Sequence, residues 1–295
     1  THKEFGSGDR ICYHGVLDMF RNPKLSAAVY ASQKTPRSPS DIVLEVSSSM
    51  ALGDHPGGFA GACWVFTNAE SVRLYRGNDF IAEFTPDRRG RFAALPHPPI
   101  EVQDFVGSLL EKYEGLDPVA APQVAAILNE MRRDALALSP LSRARLLSLR
   151  LGWNDLLRMY YKYIGVLGSP SSVYRFEAVW HGRAVRTVVK EPVQSVRLEC
   201  TVLNPLLTDG PTWDCAAVSL RAIDQNGNLL PYCGEAVQLS VEGPVKVLGP
   251  SVVPLRGGMA GTYLATTGEA GRAVLHCKME GALDTEAALT VRKRG

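Results

Sequence analysis

The sequence predicts a mainly β protein built from two β-sandwich domains, the first of which carries a small helical bundle as an insert. Apolar residues alternate with polar ones in residues 41–86 and again from about residue 195. This alternation predicts antiparallel sheet, because side chains two apart share one face of a strand. Residues 100–165 change to the spacing of three and four that is typical of amphipathic helices. A length of 295 residues agrees with about two domains.

The segment in front of the first domain, residues 1–35, contains one predicted helix. Pro23 marks its beginning, since proline at the first helical turn costs no hydrogen bond, and Leu25, Ala28 and Val29 give it an apolar side. A single short helix is not stable by itself in water. We therefore expect this helix to need a partner surface that the remaining chain does not supply.

The first predicted sandwich covers residues 36–194, with the helical insert at about 100–168. A turn at His181-Gly182 separates two of its later strands. Within the insert, Asp117-Pro118 and Ser139-Pro140 each combine a helix N-cap with proline at the first helical position. Short connections between the helices predict an antiparallel bundle.

The second predicted sandwich covers residues 195–295. Asn226-Gly227 is a strong hairpin signal, because a type I′ turn needs positive φ at both central residues. Apolar residues alternate over 237–241, and a closing strand is expected at 287–291. The length of roughly 100 residues is typical of an immunoglobulin-like domain, and we expect the first sandwich to be of the same type.

The charge balance and the apolar content exclude several classes of partner. With 32 basic and 30 acidic side chains the formal net charge is +2, which gives no electrostatic reason to expect nucleic acid or a membrane surface. The sequence contains no run of about 18 apolar residues, so no membrane span is predicted, and no signal peptide is visible. We expect a cytoplasmic protein. Because residue 1 is Thr1 rather than methionine, we also expect the chain to begin within a longer gene product.

The cysteines and histidines show no spacing of a metal site or of a redox motif, so we expect no metal and no cofactor. Cys12 and His14 lie two apart, but a thiol nucleophile also needs a third group that orients the imidazole. Most of the cysteines lie in apolar strand-like runs, where a free thiol behaves as a small hydrophobe, although the last four cysteines permit three disulfide pairings. These last four are Cys200, Cys215, Cys233 and Cys277.

Two further features leave alternatives open. The helical insert carries more arginines than acidic residues over 131–158, and a basic face could bind nucleic acid, but no recognised motif accompanies it. A solvated or domain-docking face is favoured. Four tryptophans could stack on sugar rings, but each lies in an apolar-periodic segment, which favours packing. The arginines are Arg132, Arg133, Arg143, Arg145, Arg150 and Arg158. The tryptophans are Trp64, Trp153, Trp180 and Trp213.

The opening segment carries a family motif. It reads Gly8-Asp9-Arg10-Ile11-Cys12-Tyr13-His14-Gly15-Val16-Leu17-Asp18-Met19-Phe20-Arg21-Asn22-Pro23-Lys24. This resembles the loop after the eighth barrel strand of the family 2 glycoside hydrolases, which reads Gly-Val/Leu-x-Asp-x-x-Arg-x-Pro-Lys and leads into the last barrel helix. The resemblance implies that residues 1–35 are the end of a (β/α)8 barrel. Asp18 and Arg21 are expected to pair within the loop.

Two later stretches resemble the same family. Residues 65–75 are similar to a strand pair of the immunoglobulin-like domain that follows the barrel. Residues 218–228 are similar to the Val-Asp-x-x-Gly-Asn hairpin of the last domain. The helical insert is not part of the resemblance.

The resemblance also implies where the chemistry lies. The family uses two glutamates, a general acid/base and a nucleophile, both upstream of the eighth barrel strand, so no catalytic residue is expected in this chain. A loop after the eighth strand lies at the face of the barrel where active sites are built. Asp9, Arg10, Tyr13 and His14 are therefore candidates for the rim of the substrate pocket. For each one singly, a loop-stabilising role is the favoured alternative.

An Asn-Glu dipeptide, the usual flag of the acid/base in this clan, occurs at Asn129-Glu130. It lies in the middle of a predicted helix, whereas an acid/base of the clan lies at the end of a barrel strand. We therefore expect a solvated helix face at this position.

The function implied is that of C-terminal accessory domains of a retaining β-glycosidase of the β-galactosidase type, which hydrolyses O-glycosidic bonds of β-galactosides or related sugars. The implied partner is the missing N-terminal barrel portion, and the domains would buttress the barrel, shape the pocket rim or support a homo-oligomer. The chain alone is expected to be inactive. The alternative is a stand-alone carbohydrate-binding or protein-interaction β-sandwich module.

Overall fold

The computed structural model describes residues 15–50, 61–165 and 172–294. The chain divides into two compact units. One unit consists of residues 25–192, and the other combines residues 1–24 with residues 193–295. The division after Lys24 falls inside the opening segment. The predicted assignment of residues 1–35 to a barrel stays a prediction.

A three-stranded and a four-stranded antiparallel sheet form the sandwich of the unit 25–192. Their strands are β1 (Leu44–Val46), β2 (Trp64–Thr67), β3 (Ser71–Arg76), β4 (Asp79–Phe84), β5 (Ile100–Glu101), β6 (Tyr174–Trp180) and β7 (Arg183–Lys190). The strand orders are β1-β2-β5 and β4-β3-β6-β7. Apolar side chains from both sheets share one core, in which Ile42, Val65, Leu74 and Phe176 are fully buried.

The helices of this unit are α1 (Leu25–Ala31), α2 (Leu109–Glu114), α3 (Ala120–Arg133), α4 (Pro140–Ser148) and α5 (Trp153–Tyr163), with a short 3-10 turn at Pro39–Asp41. Helices α2 to α5 form the insert between β5 and β6, and their apolar sides join the sandwich core. The insert becomes helical at Leu109 rather than near residue 100. The reason is that Ile100–Glu101 pairs with β2 as a strand, and the Asp104 carboxylate then accepts the amide of Val106 at 2.9 Å in a turn.

Two five-stranded sheets form the sandwich of the other unit. Their strands are β8 (Val196–Val202), β9 (Leu206–Asp209), β10 (Cys215–Ile223), β11 (Ala236–Glu242), β12 (Val245–Leu248), β13 (Val252–Pro254), β14 (Met259–Thr266), β15 (Gly271–Met279), β16 (Ala282–Leu283) and β17 (Thr285–Lys293). The orders are β12-β14-β10-β8-β16 and β13-β11-β15-β17-β9. Side chains from both sheets, such as Val218, Leu220, Leu275 and Leu289, form one core.

The predicted mainly β fold is confirmed. The turn expected at His181-Gly182 joins β6 to β7, with positive φ of 50° and 71°. The chain also turns at Asn226-Gly227, inside an isolated bridge between Ile223 and Leu229, but only Gly227 has positive φ, 81°, so the type I′ geometry expected there is wrong. Among the described residues, no helix combines the length and the apolar content that crossing a bilayer would require.

Candidate functional site

The four candidates for the substrate rim, Asp9, Arg10, Tyr13 and His14, lie outside the described residues, and their assignment stays a prediction. The structure describes the chain directly after them. Residues 15–24, called the anchored loop below, belong to the same compact unit as the last sandwich.

The anchored loop closes on itself as a tight antiparallel turn. Leu17 and Pro23 form a β-bridge. Inside this bridge the amide of Asp18 donates to the carbonyl of Asn22 at 3.0 Å. Arg21 completes the turn in the left-handed region, with φ of 70°. The loop therefore has a fixed backbone conformation.

The carboxylate of Asp18 organises the turn from inside. It is 1% exposed, and its Oδ1 accepts the amides of Phe20 and Asn22, both at 2.8 Å. Its Oδ2 accepts the side-chain amide of Asn22 at 2.8 Å. Three donors offset the cost of burying a carboxylate. The expected partner Arg21 contributes its backbone amide, at 3.2 Å from the Asp18 carbonyl, whereas the side chain that binds the carboxylate is that of Asn22.

Asn22 and Phe20 hold the anchored loop on the last sandwich. The side chain of Asn22 donates to the carbonyl of Ala260 at 2.9 Å and accepts the hydroxyl of Ser219. Phe20 is 4% exposed, and its ring centroid lies 5.7 Å from that of Tyr263. Ser219 belongs to β10, and Ala260 and Tyr263 belong to β14, which pairs with it. The loop is therefore fastened to the middle strands of one sheet.

The same turn recurs in the last sandwich, after β10. Asp224 accepts the amides of Asn226 and Asn228 at 2.9 and 2.8 Å, and the side-chain amide of Asn228 at 2.8 Å. Its own amide donates to the carbonyl of Asn228 at 2.9 Å. Gly227 takes the left-handed position that Arg21 has in the anchored loop. The spacing Asp-x-x-x-Asn, present twice in the sequence, is the signal that the sequence analysis missed.

Asn129 and Glu130 both stabilise the helical insert. Asn129 is 9% exposed and donates to the carboxylate of Asp104 at 2.7 Å. Glu130 accepts the amide of Ser139 at 2.5 Å and the hydroxyl of Ser142, at the start of α4. Burial raises the pKa of Glu130, but the hydrogen bonds from Ser142 and Ser139 bring it below its ordinary value. The expected solvated face is wrong for Asn129, and both side chains make structural contacts.

Two arginines of the predicted basic face make structural contacts, Arg132 as a buried residue and Arg158 as an exposed one. Arg132 is 2% exposed and donates to the carbonyl of Gly61 at 2.8 Å. Its guanidinium carbon lies 4.2 Å from the ring centroid of Phe105, a cation–π arrangement. Arg158 binds Glu114 at 2.9 Å. Arg132 therefore does not belong to the solvated face that was favoured, whereas Arg158 lies at the surface with 58% of its side chain exposed.

Glu114, at the end of α2, ties that helix to α5. Its carboxylate accepts from Lys162 at 2.6 Å, from the hydroxyl of Tyr163 at 2.7 Å and from Arg158 at 2.9 Å. The hydrogen bond from Lys162 is the main reason that the pKa of Glu114 falls to about 2, with Tyr163 and Arg158 acting in the same direction against burial. The carboxylate is therefore held ionised as part of the helix packing.

The four tryptophans divide into two pairs. Trp64 lies edge-on against Phe92 with ring centroids 5.8 Å apart, and Trp180 is half-buried. Trp153 and Trp213 are 49% and 61% exposed. Packing, which the sequence analysis favoured for all four, holds for the first pair. The second pair presents aromatic surface to solvent.

Comparison with known sequences gives matches over most of the chain, although no family model matches it. The chain is 29% identical over 261 residues to a β-galactosidase from Thermoanaerobacterium thermosulfurigenes, covering 88% of this chain and 28% of the relative. It is 28% identical over 278 residues to a β-galactosidase from Thermoanaerobacter pseudethanolicus, covering 94% of this chain and 30% of the relative. The chain therefore spans less than a third of these relatives.

Solved structures share the fold. A β-glycosidase from Bacteroides vulgatus matches with a TM-score of 0.55 at 14% identity, over 94% of this chain and 28% of that one. A β-glucuronidase from glycoside hydrolase family 2 matches with a TM-score of 0.53 at 13% identity, over 95% of this chain and 23% of that one. At these identities the likeness extends to the fold alone.

Proposed function

Because the chain is homologous to the C-terminal region of family 2 glycoside hydrolases, we propose that it supplies the C-terminal accessory domains of a retaining β-glycosidase of the β-galactosidase type. The substrate of the larger enzyme would be a β-galactoside or a related β-glycoside. Two relatives that carry the name β-galactosidase, of which the chain covers 28% and 30%, support this proposal. The two glutamates of the reaction would come from the barrel portion of the enzyme.

Helix α1 is the observation that carries the proposal. Its sequence is Leu-Ser-Ala-Ala-Val-Tyr-Ala, and none of its side chains is buried. Leu25 is 45% exposed and Tyr30 is 70% exposed. A helix this short is not stable without tertiary contacts, and an apolar helix side is normally covered. The last helix of a barrel would be covered by the neighbouring barrel helices.

The anchored loop suggests what the accessory domains do. It fastens the chain that leads out of the predicted rim to the middle of a rigid sheet, through the buried side chains of Phe20 and Asn22. A substrate contact misplaced by about 1 Å can cost on the order of a hundredfold in rate. In this proposal the last sandwich holds the rim of the pocket in place.

Hydrolysis of a chromogenic β-galactoside tests the proposal. The purified chain is expected to show no turnover, since it lacks both proposed catalytic glutamates. The same chain extended by the coding sequence in frame upstream is expected to hydrolyse the substrate with retention, seen by NMR as a β-configured first product. Turnover by the purified chain at an enzymatic rate, about 1 s⁻¹ or more, would overturn the proposal. So would an upstream sequence that encodes no barrel.

A second test concerns α1. Replacing Tyr30 with Asp is expected to leave the denaturant midpoint of the isolated chain unchanged, because the side chain is 70% exposed there. In the upstream-extended enzyme the same change would bury a charge against the barrel and is expected to lower both the midpoint and the activity. Tyr232→Asp, at an exposed position of the last sandwich, is the matched control. Equal behaviour of Tyr30→Asp in both chains would contradict a barrel-covered helix.

A free-standing carbohydrate-binding module is the second candidate, favoured by the exposed rings of Trp153 and Trp213. Aromatic faces provide apolar contact area for sugar rings. Saturable binding of galactosides to the isolated chain, without turnover and lost in Trp213→Ala or Trp153→Ala, would favour this candidate. Calorimetry with lactose, which detects binding without a label, makes that distinction.

A further inference from the structure

Two thiols lie side by side inside the last sandwich. The Sγ of Cys277 donates to the Sγ of Cys200 at 3.5 Å, between residues that are 77 positions apart in sequence. Cys277 is buried on β15, and Cys200 is half-buried on β8. These strands belong to different sheets of the sandwich. A covalent bond between the two sulfurs would therefore join the sheets through their shared core.

Cys200 is placed where a small reagent can reach it. Strand β8 pairs with β10 on one side, where Cys200 lies opposite Leu220. On its other side β8 pairs with the short strand β16 at Val196 and Arg197, and this pairing ends before Cys200. Cys277, by contrast, is 0% exposed. An incoming reagent would meet Cys200 first.

The hydrogen bond also distinguishes the two thiols chemically. Because Cys277 donates to it, the pKa of Cys200 is lowered, while the same hydrogen bond and burial raise the pKa of Cys277. The thiolate is the nucleophile in thiol–disulfide exchange. Accessibility and acidity therefore both make Cys200 the attacking thiol and Cys277 the resolving thiol.

We propose that Cys200 and Cys277 form a site of oxidative modification, at which a small-molecule disulfide such as glutathione disulfide produces a disulfide between the two sheets. The Cys200 thiolate attacks the small disulfide, which gives a mixed disulfide and releases one glutathione. Cys277 then attacks the Cys200 sulfur and releases the second glutathione. Each glutathione thiolate takes up the proton lost by the attacking thiol. The protein loses two protons and two electrons, and the small disulfide takes them up to give two glutathione molecules.

Formation of the disulfide requires the two sulfurs to move closer together. A disulfide needs a sulfur separation of about 2.05 Å, against 3.5 Å between these thiols. Rotation about the Cα–Cβ bonds of the two residues changes the distance between the sulfurs and is the movement that the proposal requires. The remaining described cysteines serve as references. Cys63 belongs to the other unit, where burial raises its pKa to about 12.

Peptide mapping of the full-length chain tests the proposal. Folded protein is incubated with glutathione disulfide, the free thiols are alkylated at acidic pH, and the chain is cleaved without reduction. Trypsin alone leaves Cys200 and Cys215 on one peptide, so a protease that cuts before aspartate is added to separate them at Asp209 and Asp214. The expected product is peptide 198–208 linked to peptide 273–278. Linkage of Cys277 to Cys215 or Cys233 instead, or no linkage, would overturn the proposal.

Three single variants separate the roles of the thiols. Cys277→Ala is expected to stop the reaction at the mixed disulfide on Cys200. Cys200→Ala is expected to leave Cys277 unmodified, because it is buried. Cys233→Ala, the matched control in the same unit, is expected to give the cross-link at the wild-type rate. A cross-link that appears only after denaturation would show that the folded site does not react, and would also overturn the proposal.

A second measurement does not depend on mapping. A cross-link that closes a long loop restricts the unfolded chain and stabilises the fold. The oxidised wild type is therefore expected to unfold at a higher denaturant concentration than the reduced protein. This shift is expected to disappear in Cys277→Ala and to persist in Cys233→Ala. An unchanged midpoint in a cross-linked sample would contradict an inter-sheet bond.

Discussion

The ring of Phe20 lies directly against Gly261. A β-carbon at position 261 would overlap the Cγ of Phe20, and it would lie 2.5 Å from the carbonyl oxygen of Val218. Gly261 pairs with Ser219 in the middle of the sheet. A glycine inside a strand often marks a place where another part of the chain approaches closely. Here its missing side chain leaves the space in which the anchored loop is seated.

Replacing Gly261 with Ala is accordingly expected to destabilise the last sandwich and to loosen the anchored loop. The added methyl group meets a backbone carbonyl that cannot move away, and overpacking of this kind costs about 1–3 kcal/mol. The free energy of unfolding in urea measures the loss of stability. Faster proteolytic cleavage within residues 15–24 would report the loosened loop.

Gly234 provides the matched control for this change. A β-carbon added there would meet nothing within 4 Å, and its φ is outside the left-handed region. Gly234→Ala is expected to leave the free energy of unfolding unchanged or slightly raised, because alanine restricts the unfolded chain. Equal stability of the two alanine variants would show that Phe20 is not seated on Gly261.

Asn22→Ala is expected to destabilise the same sandwich by about 2–4 kcal/mol, since it leaves buried polar groups without partners. The carboxylate of Asp18 would lose one of its donors, and the carbonyl of Ala260 and the hydroxyl of Ser219 would lose the Asn22 amide. Urea unfolding of the purified chain measures this loss. A cost below about 0.5 kcal/mol would mean that the contact between loop and sheet contributes little.

The recurring turn supplies a comparison for Asn22. Asn228→Ala removes the equivalent hydrogen bond to Asp224, at 2.8 Å. Asn228 is half-buried, whereas Asn22 is 1% exposed. Water can replace part of the lost bond, so a cost of about 1 kcal/mol is expected. The difference between the two costs therefore reflects the burial of Asn22 together with its contacts to Ala260 and Ser219.

Residue patterns could predict the sandwiches but not the anchoring of the loop. Alternation and turn residues predict the strands, because they depend on neighbours in sequence. The contact of Asn22 with Ser219 joins residues 197 positions apart, and no periodicity records such a pair. The helical spacing that begins at residue 100 predicted a helix too early, because Ile100–Glu101 pairs with β2 and Asp104 then binds the following amides in a turn.

Arg21 and Gly227 occupy equivalent positions of the two turns, with φ of 70° and 81°. A residue other than glycine in this region is strained by about 1–2 kcal/mol. Arg21→Gly is therefore expected to raise the stability of the last sandwich by up to about 1 kcal/mol. The relief of strain is partly offset because glycine gives the unfolded chain more conformational entropy. Gly227→Ala, with nothing within 4 Å of its β-carbon, is expected to lower stability by about 1 kcal/mol. Urea midpoints that move in the same direction would contradict the equivalence of the turns.

The pKa of Glu114 makes the stability of the helical insert depend on pH. Its value in the folded chain, about 2, lies below the ordinary value of 4.5, so the stabilisation is present above the ordinary value and is lost as the pH falls towards 2. Glu114→Gln is expected to cost about 1 kcal/mol at neutral pH, and the difference from wild type is expected to vanish in acid. Thermal unfolding of both proteins between neutral pH and about pH 2 measures this difference in stability. The matched control is Glu111→Gln on the exposed side of the same helix, expected to be neutral throughout. A difference between Glu114→Gln and wild type that stays constant with pH would show that the carboxylate charge does not hold α2 to α5.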